Sequence, residues 1–477
     1  MSTNMPFSPS RSYLAEDLQA HAAALYKAAI CFAFAVSVIH AVSLPILVTF
    51  DGYWYARLAE ALGTPRFSGE WDYLRTPLFP ALLKCSFWLL GRRALTVIAV
   101  QTALGFAGIC LLGAALRRLG RTIEAALAIV LLSVFPTLIA YEHALLTETG
   151  TFFFLALALY VGTAPARRPA WRTAGLIVVI ALGYYERSTL LLMAPVLAFL
   201  HLLAARWSGS APDSVPRRPL RITAAEAVAL VVVPFLLAYP WLKNPRVIER
   251  NGQSVLLYGM IRQTLIPVDD PIWGKSGAIY SDAIRQSRVK GGLPLSGLRD
   301  DLVYPALGVL YPYGAEASRL FTRMIVHRTG AYAEAVGRNI LLFAGAGTQP
   351  GDSAEFRAAV LSGAGSVVAP RPAGFPPLNV DMAEKTRWPS AGAALAAVAP
   401  EYDILVFLSF PATVVLLAMG FHRKDGPMVA FALVPIAFLA INALALTSQD
   451  RTAVPAFPLL LLDVVAVPAC IWRGNSN

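Results

Sequence analysis

The sequence predicts an all-α polytopic membrane protein, and three observations carry that reading. Of 477 residues, 57% are hydrophobic and only 14% are charged, against roughly 25% charged in an average soluble domain. Several runs approach the ~20 apolar residues needed to cross a bilayer. The arginines cluster in the connections between those runs. This makes the net charge of +11 a matter of membrane orientation rather than of nucleic-acid binding.

The elements follow in order. A polar tail, 1–26, lacks the basic, apolar and small-residue pattern of a cleaved signal peptide. Seven spans are read at 27–49, 94–116, 123–141, 149–164, 173–185, 189–205 and 223–242, and three more at 402–421, 427–447 and 452–472. Residues 27–242 thus form a seven-span module whose first outer loop is 51–93, and 401–477 form a three-span closing segment. Between them, 243–400 is one long segment rich in Pro and Gly. Its amphipathic stretches, 278–290 and 313–347, predict a mostly helical loop domain, with Leu320, Met324 and Ile325 on one side.

Basic clusters follow the second, fourth, sixth and eighth spans: Arg117, Arg118 and Arg121; Arg167, Arg168 and Arg172; Arg206, Arg217, Arg218 and Arg221; Arg423 and Lys424. Lys and Arg excess marks the cytoplasmic side, so both termini are read as cytoplasmic and about ten spans satisfy that parity. The 51–93 loop and 243–400 then face the periplasm or exterior of a cytoplasmic (inner) membrane. Residues 77–91 are apolar but reach only about 23 Å as a helix, so they are read as lying along or dipping into the outer surface. Cys31, Cys85, Cys110 and Cys470 sit in apolar runs without metal-type spacing and are read as free, buried thiols.

The chemistry gathers on one face. Asp51 follows the first span, and Arg75 stands just ahead of the apolar 77–91 stretch. Glu142, His143 and Glu148 lie in the hairpin after the third span, Glu186 and Arg187 in the next outer hairpin, and Asp450 and Arg451 in the last. Charge at a membrane interface costs a few kcal/mol and asks for a reason. Arginine forks suit a phosphate, and a carboxylate can take a proton from a hydroxyl. Simpler roles stand beside these: Asp51 as the cap of a helix beginning near Tyr53, Arg75 and Arg187 as interfacial arginines, and Glu142 and Glu148 in a solvated turn. His143 reads as packing or as a hydrogen-bond partner rather than as a ligand, and His40, Gln101 and Asp463 as polar groups satisfied within the bundle.

Asp51-Gly-Tyr-Trp-Tyr-Ala-Arg-Leu-Ala, then Arg75-x-Pro-x-Phe-Pro, resembles the first outer loop of the GT-C superfamily of integral-membrane glycosyltransferases. Glu142-His-Ala-Leu-Leu-Thr-Glu148 resembles their second outer loop. Tyr-Tyr-Glu-Arg187-Ser-Thr and Asp450-Arg451-x-x-x-Pro455-x-x-Pro458 resemble later family motifs. The layout is similar to bacterial protein O-mannosyltransferase-like members and to lipid A aminoarabinose- or galacturonic-acid-transferase-like members. It departs from the aminoarabinose group in having Arg75-Thr-Pro, and Glu rather than Asp in the second loop.

The resemblance implies a GT-C-like bundle that moves a sugar from a polyprenyl-phosphate donor to a glycan, lipid or protein acceptor. It implies Asp51 as general base, with Glu142 and Glu148 as further catalytic candidates. Tyr53, Tyr55, Tyr73, Arg75, His143, Arg187 and Arg451 are the candidates for binding substrate. Lipid phosphate is a good leaving group, so the displacement is read as inverting and as needing no metal and no cofactor, with membrane lipids as the other partners. The alternative class is a polytopic transporter or lipid flippase, for which Asp463 inside the last span is the best argument.

Overall fold

The computed structural model describes residues 10–64, 75–164, 169–208, 220–289, 297–298, 300–345, 352–362, 367–368, 380–381, 388–446 and 450–474. The architecture is all-α, with one short parallel pair of strands. The first half runs α1 (Ser10–Ser43), β1 (Leu47–Val48), α2 (Phe50–Ala61), α3 (Leu78–Leu90), α4 (Ala94–Arg118), α5 (Thr122–Ser133), α6 (Pro136–Glu142), α7 (Glu148–Gly162), α8 (Pro169–Glu186), a 3-10 turn (Ser188–Met193), α9 (Ala194–Ser208) and α10 (Leu220–Leu242). The 243–400 segment adds α11 (Pro245–Asn251), α12 (Tyr258–Arg262), α13 (Gly277–Val289), α14 (Asp300–Leu310), α15 (Ala317–His327), α16 (Thr329–Ala344), α17 (Asp352–Leu361) and β2 (Val367–Val368). The chain closes with α18 (Pro389–Arg423), α19 (Gly426–Leu444) and α20 (Phe457–Gly474).

Among the described residues, seven helices are long and apolar enough to cross a membrane, or eight if α5 and α6 are one span bent by 60°. Pro136 explains the bend: it opens α6 without an N–H to continue the ladder of α5. The other two of the ten expected spans are α7 and α8. Both pack within the same bundle, but α7 has only 15 residues, about 22 Å of helix, and α8 carries Arg172 and Glu186 near its ends. Side chains such as Phe34, Leu236, Phe407 and Val414 are exposed on the bundle surface. In water that would be a liability; facing acyl chains it is the expected outer surface of a multi-pass membrane protein.

Three expectations need correcting. The first helix stops at Ser43, and the chain is extended from there to Thr49, because Pro45 lacks the N–H a continuing helix would need. The thiols are free but not all buried: Cys31 and Cys85 are exposed and Cys110 is half-buried, while the side chain of Cys470 lies outside the described residues. The 313–347 stretch is two helices, α15 and α16, meeting at Arg328, with Leu320 and Met324 buried as expected.

The 243–400 segment is joined to the bundle at several places among the described residues. β2 pairs in parallel with β1, Leu47 opposite Val367. Asp381 accepts from Ala94 N–H and donates its own N–H to Arg92, at 2.9 Å each. From α17, Arg357 grips Asp403 of α18 through both carboxylate oxygens, at 2.5 and 2.8 Å. A second apolar cluster, built on Met260, Tyr280, Leu310 and Leu320, also takes in Leu446 beyond α19. The Asp51 loop and the long segment therefore form one surface.

Candidate functional site

Asp51 is placed by its flanks. The Leu47 amide donates to the His143 carbonyl (2.8 Å), and the Leu145 amide donates back to the Leu47 carbonyl (3.1 Å). Together with β2 this holds the strand that feeds α2. Thr49, not Asp51, caps α2: its hydroxyl accepts from the Gly52 amide at 3.2 Å. The capping role considered for Asp51 is thus already filled, because the helix begins at Phe50, three residues earlier than Tyr53.

The Asp51 carboxylate instead lies between two arginines. Arg75 bonds one oxygen, and Arg451, 400 residues away in sequence, bonds the other at 2.7 Å. Its side chain is 24% exposed, so it remains reachable. Burial pushes the carboxyl up, but the Arg75 and Arg451 guanidiniums outweigh it and hold the group well below the usual carboxylate range. Arg75 also lies over the rings of Trp54 and Tyr55, 5.6 and 5.5 Å from their centroids. Tyr55 is hydrogen-bonded with Thr147 and pushed up to about 12, mainly by burial, with Asp51 and Glu148 adding to the rise. Tyr55 therefore links the Asp51 group to the Glu148 hairpin.

There Glu148 pairs with Arg187 at 3.3 Å. Beside them, Glu186 closes α8 and is only 1% exposed. Neither of its carboxylate oxygens has a hydrogen-bond partner among the described residues. Its carboxyl is pushed up to about 8 by burial, with Arg187 pulling it down and Glu148 pushing it further up. Glu186 was visible in sequence only as the neighbour of Arg187, and its burial has no sequence signal. A stability consequence follows. Unfolded Glu ionises near ~4.3, so between there and about pH 8 the unfolded state binds fewer protons and stability falls as pH rises. Glu186→Gln removes this loss. The thermal midpoint of the variant is expected to gain on the wild type from pH 5 to pH 8.5, and parallel profiles would refute the assignment.

Glu142 and His143 are withdrawn from solvent, not in a solvated turn. His143 Nδ1 is 3.1 Å from the Pro45 carbonyl, and its Nε2 is 3.1 Å from His40 Nδ1. A carbonyl only accepts, so a neutral His143 donates from Nδ1 and accepts at Nε2 from His40. The far nitrogen of His40 then faces Glu142 Oε2 at 3.1 Å, and one proton serves the pair. This chain braces the extended segment leading to Asp51. Gly105 of α4 leaves the space that the Glu142 carboxylate fills, since a Cβ there would collide with it.

The remaining candidates fall as follows. Tyr53 is buried with Ile46, Phe79 and Leu83 in the small cluster under α2. Tyr73 lies outside the described residues, as does the side chain of Asp450. Gln101 and Asp463 are only partly satisfied within the bundle. Gln101 Nε2 donates to the Ala144 and Leu146 carbonyls, and Asp463 Oδ2 accepts from the Thr413 hydroxyl at 2.5 Å. Gln101 Oε1 and Asp463 Oδ1 have no hydrogen-bond partner among the described residues. Among the described residues no three His, Cys, Asp or Glu side chains gather as a metal site. Asp51 and Glu142 have different partners, the two arginines for Asp51 and His40 for Glu142.

No family model and no curated protein matches the chain. Solved structures with a related overall shape include two of the Archaeoglobus fulgidus oligosaccharyltransferase. The AglB complex with an inhibitory peptide and a dolichol-phosphate is 16% identical, covering 95% of this chain and 51% of that one, at TM-score 0.44. The complex with Zn and sulfate is 12% identical, covering 94% and 49%, at 0.45. ArnT from Cupriavidus metallidurans bound to undecaprenyl phosphate is 13% identical, covering 92% and 77%, at 0.37. This chain spans about half the length of the archaeal oligosaccharyltransferase.

Proposed function

We propose that the protein transfers a sugar from a polyprenyl-phosphate donor to a glycan, lipid or protein acceptor at the membrane face that carries Asp51. The observation that carries the reading is the reachable Asp51 carboxylate between Arg75 and Arg451 at the end of an apolar bundle. Two guanidinium forks suit a phosphate at bilayer depth, and the carboxylate suits an attacking hydroxyl. The acceptor oxygen bonds to the anomeric carbon as its proton passes to Asp51. The bond from that carbon to the lipid phosphate breaks, and the released phosphate stays with the arginines. The displacement is direct and inverts the anomeric centre.

The resting site has a built-in inconsistency that the donor resolves. A carboxylate held so far below its usual range is a feeble base, since a general base works best with a pKa near the operating pH. A donor phosphate competes for the same two guanidiniums. As it draws them off, Asp51 regains basicity, so base strength appears only with donor in place. Glu148 and Arg187, linked through Tyr55, extend the same surface toward the acceptor.

In this reading the 51–93 loop and 243–400 lie outside the cytoplasmic membrane. With the native cysteines removed, Ser281→Cys and His422→Cys are expected to react with an impermeant thiol reagent from opposite sides of sealed vesicles. Reaction of both from one side would overturn the orientation. For the function itself, a deletion strain is expected to accumulate one lipid-linked sugar and to lose that sugar from a surface glycan, lipid or protein, both read by mass spectrometry. Unchanged pools would argue against transfer.

A further inference from the structure

At the end of the bundle away from Asp51, the far halves of α7, α8, α9 and the start of α19 line a half-open cavity of about 360 Å³, within the range of small-ligand sites. The sugar-transfer site makes no use of it. Its walls are apolar, from Leu159, Leu176, Leu197 and Leu200, and its polar lining comes from Thr163, Arg172, His201, Lys424 and Asp425.

The polar groups are held in a definite order. Arg172 Nη2 lies 3.2 Å from His201 Nδ1, and His201 Nε2 lies 2.9 Å from Glu226 Oε2. A guanidinium has only donors, so His201 Nδ1 accepts and its proton sits on Nε2, directed at Glu226. Arg172 is thereby fixed at the cavity with the compensating acid one residue behind it. Lys424 ends α18 in the left-handed region, φ +54°, and its ammonium has no ion-pair partner among the described residues. The nearest acid in sequence, Asp425, is directed elsewhere: it accepts from the Met428 amide at 3.0 Å and faces Arg121 at 4.0 Å. The α19 N-terminus is therefore already capped, and an anion here would rest on side chains.

We propose that this cavity binds an anionic phospholipid, with an acyl chain against the leucines and the phosphate at Lys424 and Arg172. Charge complementarity selects that occupant. This end of the bundle also carries Arg117, Arg118, Arg121 and Arg423, and basic pockets between membrane helices recognise acidic headgroups. A neutral lipid would leave Lys424 unanswered, and free phosphate would leave the apolar walls empty. The site is independent of the sugar-transfer reading.

The test is thermal unfolding of the purified full chain in detergent with added dioleoylphosphatidylglycerol, dioleoylphosphatidylcholine or inorganic phosphate. Phosphatidylglycerol is expected to raise the midpoint more than either of the others, and less so at high salt. Lys424→Glu, at an exposed position, is expected to weaken phosphatidylglycerol binding on the order of tenfold without changing the midpoint in phosphatidylcholine, and Lys424→Arg to retain it. Leu197→Trp, which fills the cavity, gives a second reading through lost lipid in native mass spectrometry. Equal shifts with the two lipids, a shift reproduced by inorganic phosphate, or a phosphatidylglycerol preference that survives Lys424→Glu would each overturn the proposal.

Discussion

Asp51→Asn is expected to cut sugar transfer by about 10²–10⁴-fold, the usual contribution of a general base, while donor binding holds or tightens. The two effects have opposite signs because the proposal gives Asp51 two jobs in the resting site. As the base it cannot be replaced by an amide. As the counter-charge of Arg75 and Arg451 it competes with the donor phosphate, and the amide competes poorly. Thr49 caps α2, so the helix itself is unaffected by the change. The check is transfer from a synthetic polyprenyl-phosphate sugar, with binding of the same lipid measured on the same preparation. Loss of both together would mean that Asp51 is a structural anchor for the two arginines. Near wild-type turnover would move the base to Glu148, the next carboxylate along the surface.

Arg75→Lys and Arg451→Lys are each expected to weaken polyprenyl-phosphate binding about tenfold or more. A charge-assisted hydrogen bond is worth about 1.5–3 kcal/mol, and an ammonium keeps the charge but loses the fork. Arg75 has the larger expected effect, since its guanidinium also lies over Trp54 and Tyr55 and Lys would give up that stacking. Both variants keep a cation beside Asp51, so insertion and folding should survive. Unchanged affinity in both would reduce these residues to partners of Asp51 with no part in donor binding.

Much of this was legible in the sequence because a bilayer imposes strict demands on length and charge. Apolar runs placed the helices, and acids and arginines at their ends marked one face, including Asp51, Arg75, Glu148, Arg187 and Arg451. The pairings were not legible. Nothing in a linear pattern joins Asp51 to Arg451, or Arg357 to Asp403, because such pairs are made by packing between distant helices. At Glu142 the sequence left a solvated turn open beside a role in the site, whereas the fold encloses Glu142 with His40 and His143. Glu186 was placed on the same face, but its burial was not legible, since only the fold encloses it. The α5–α6 break was hidden within an apolar run that Pro136 interrupts but does not end.

The central claim is tested most directly by giving the purified protein a synthetic polyprenyl-phosphate sugar of defined anomeric configuration, with the acceptor identified from the deletion strain. Release of polyprenyl phosphate and the configuration of the product are followed together. The account predicts stoichiometric release and an inverted product, through one displacement assisted by Asp51. A product of retained configuration would contradict it, because one in-line displacement inverts the anomeric carbon, and retention needs either a second displacement through a covalent intermediate or attack from the face that the phosphate leaves.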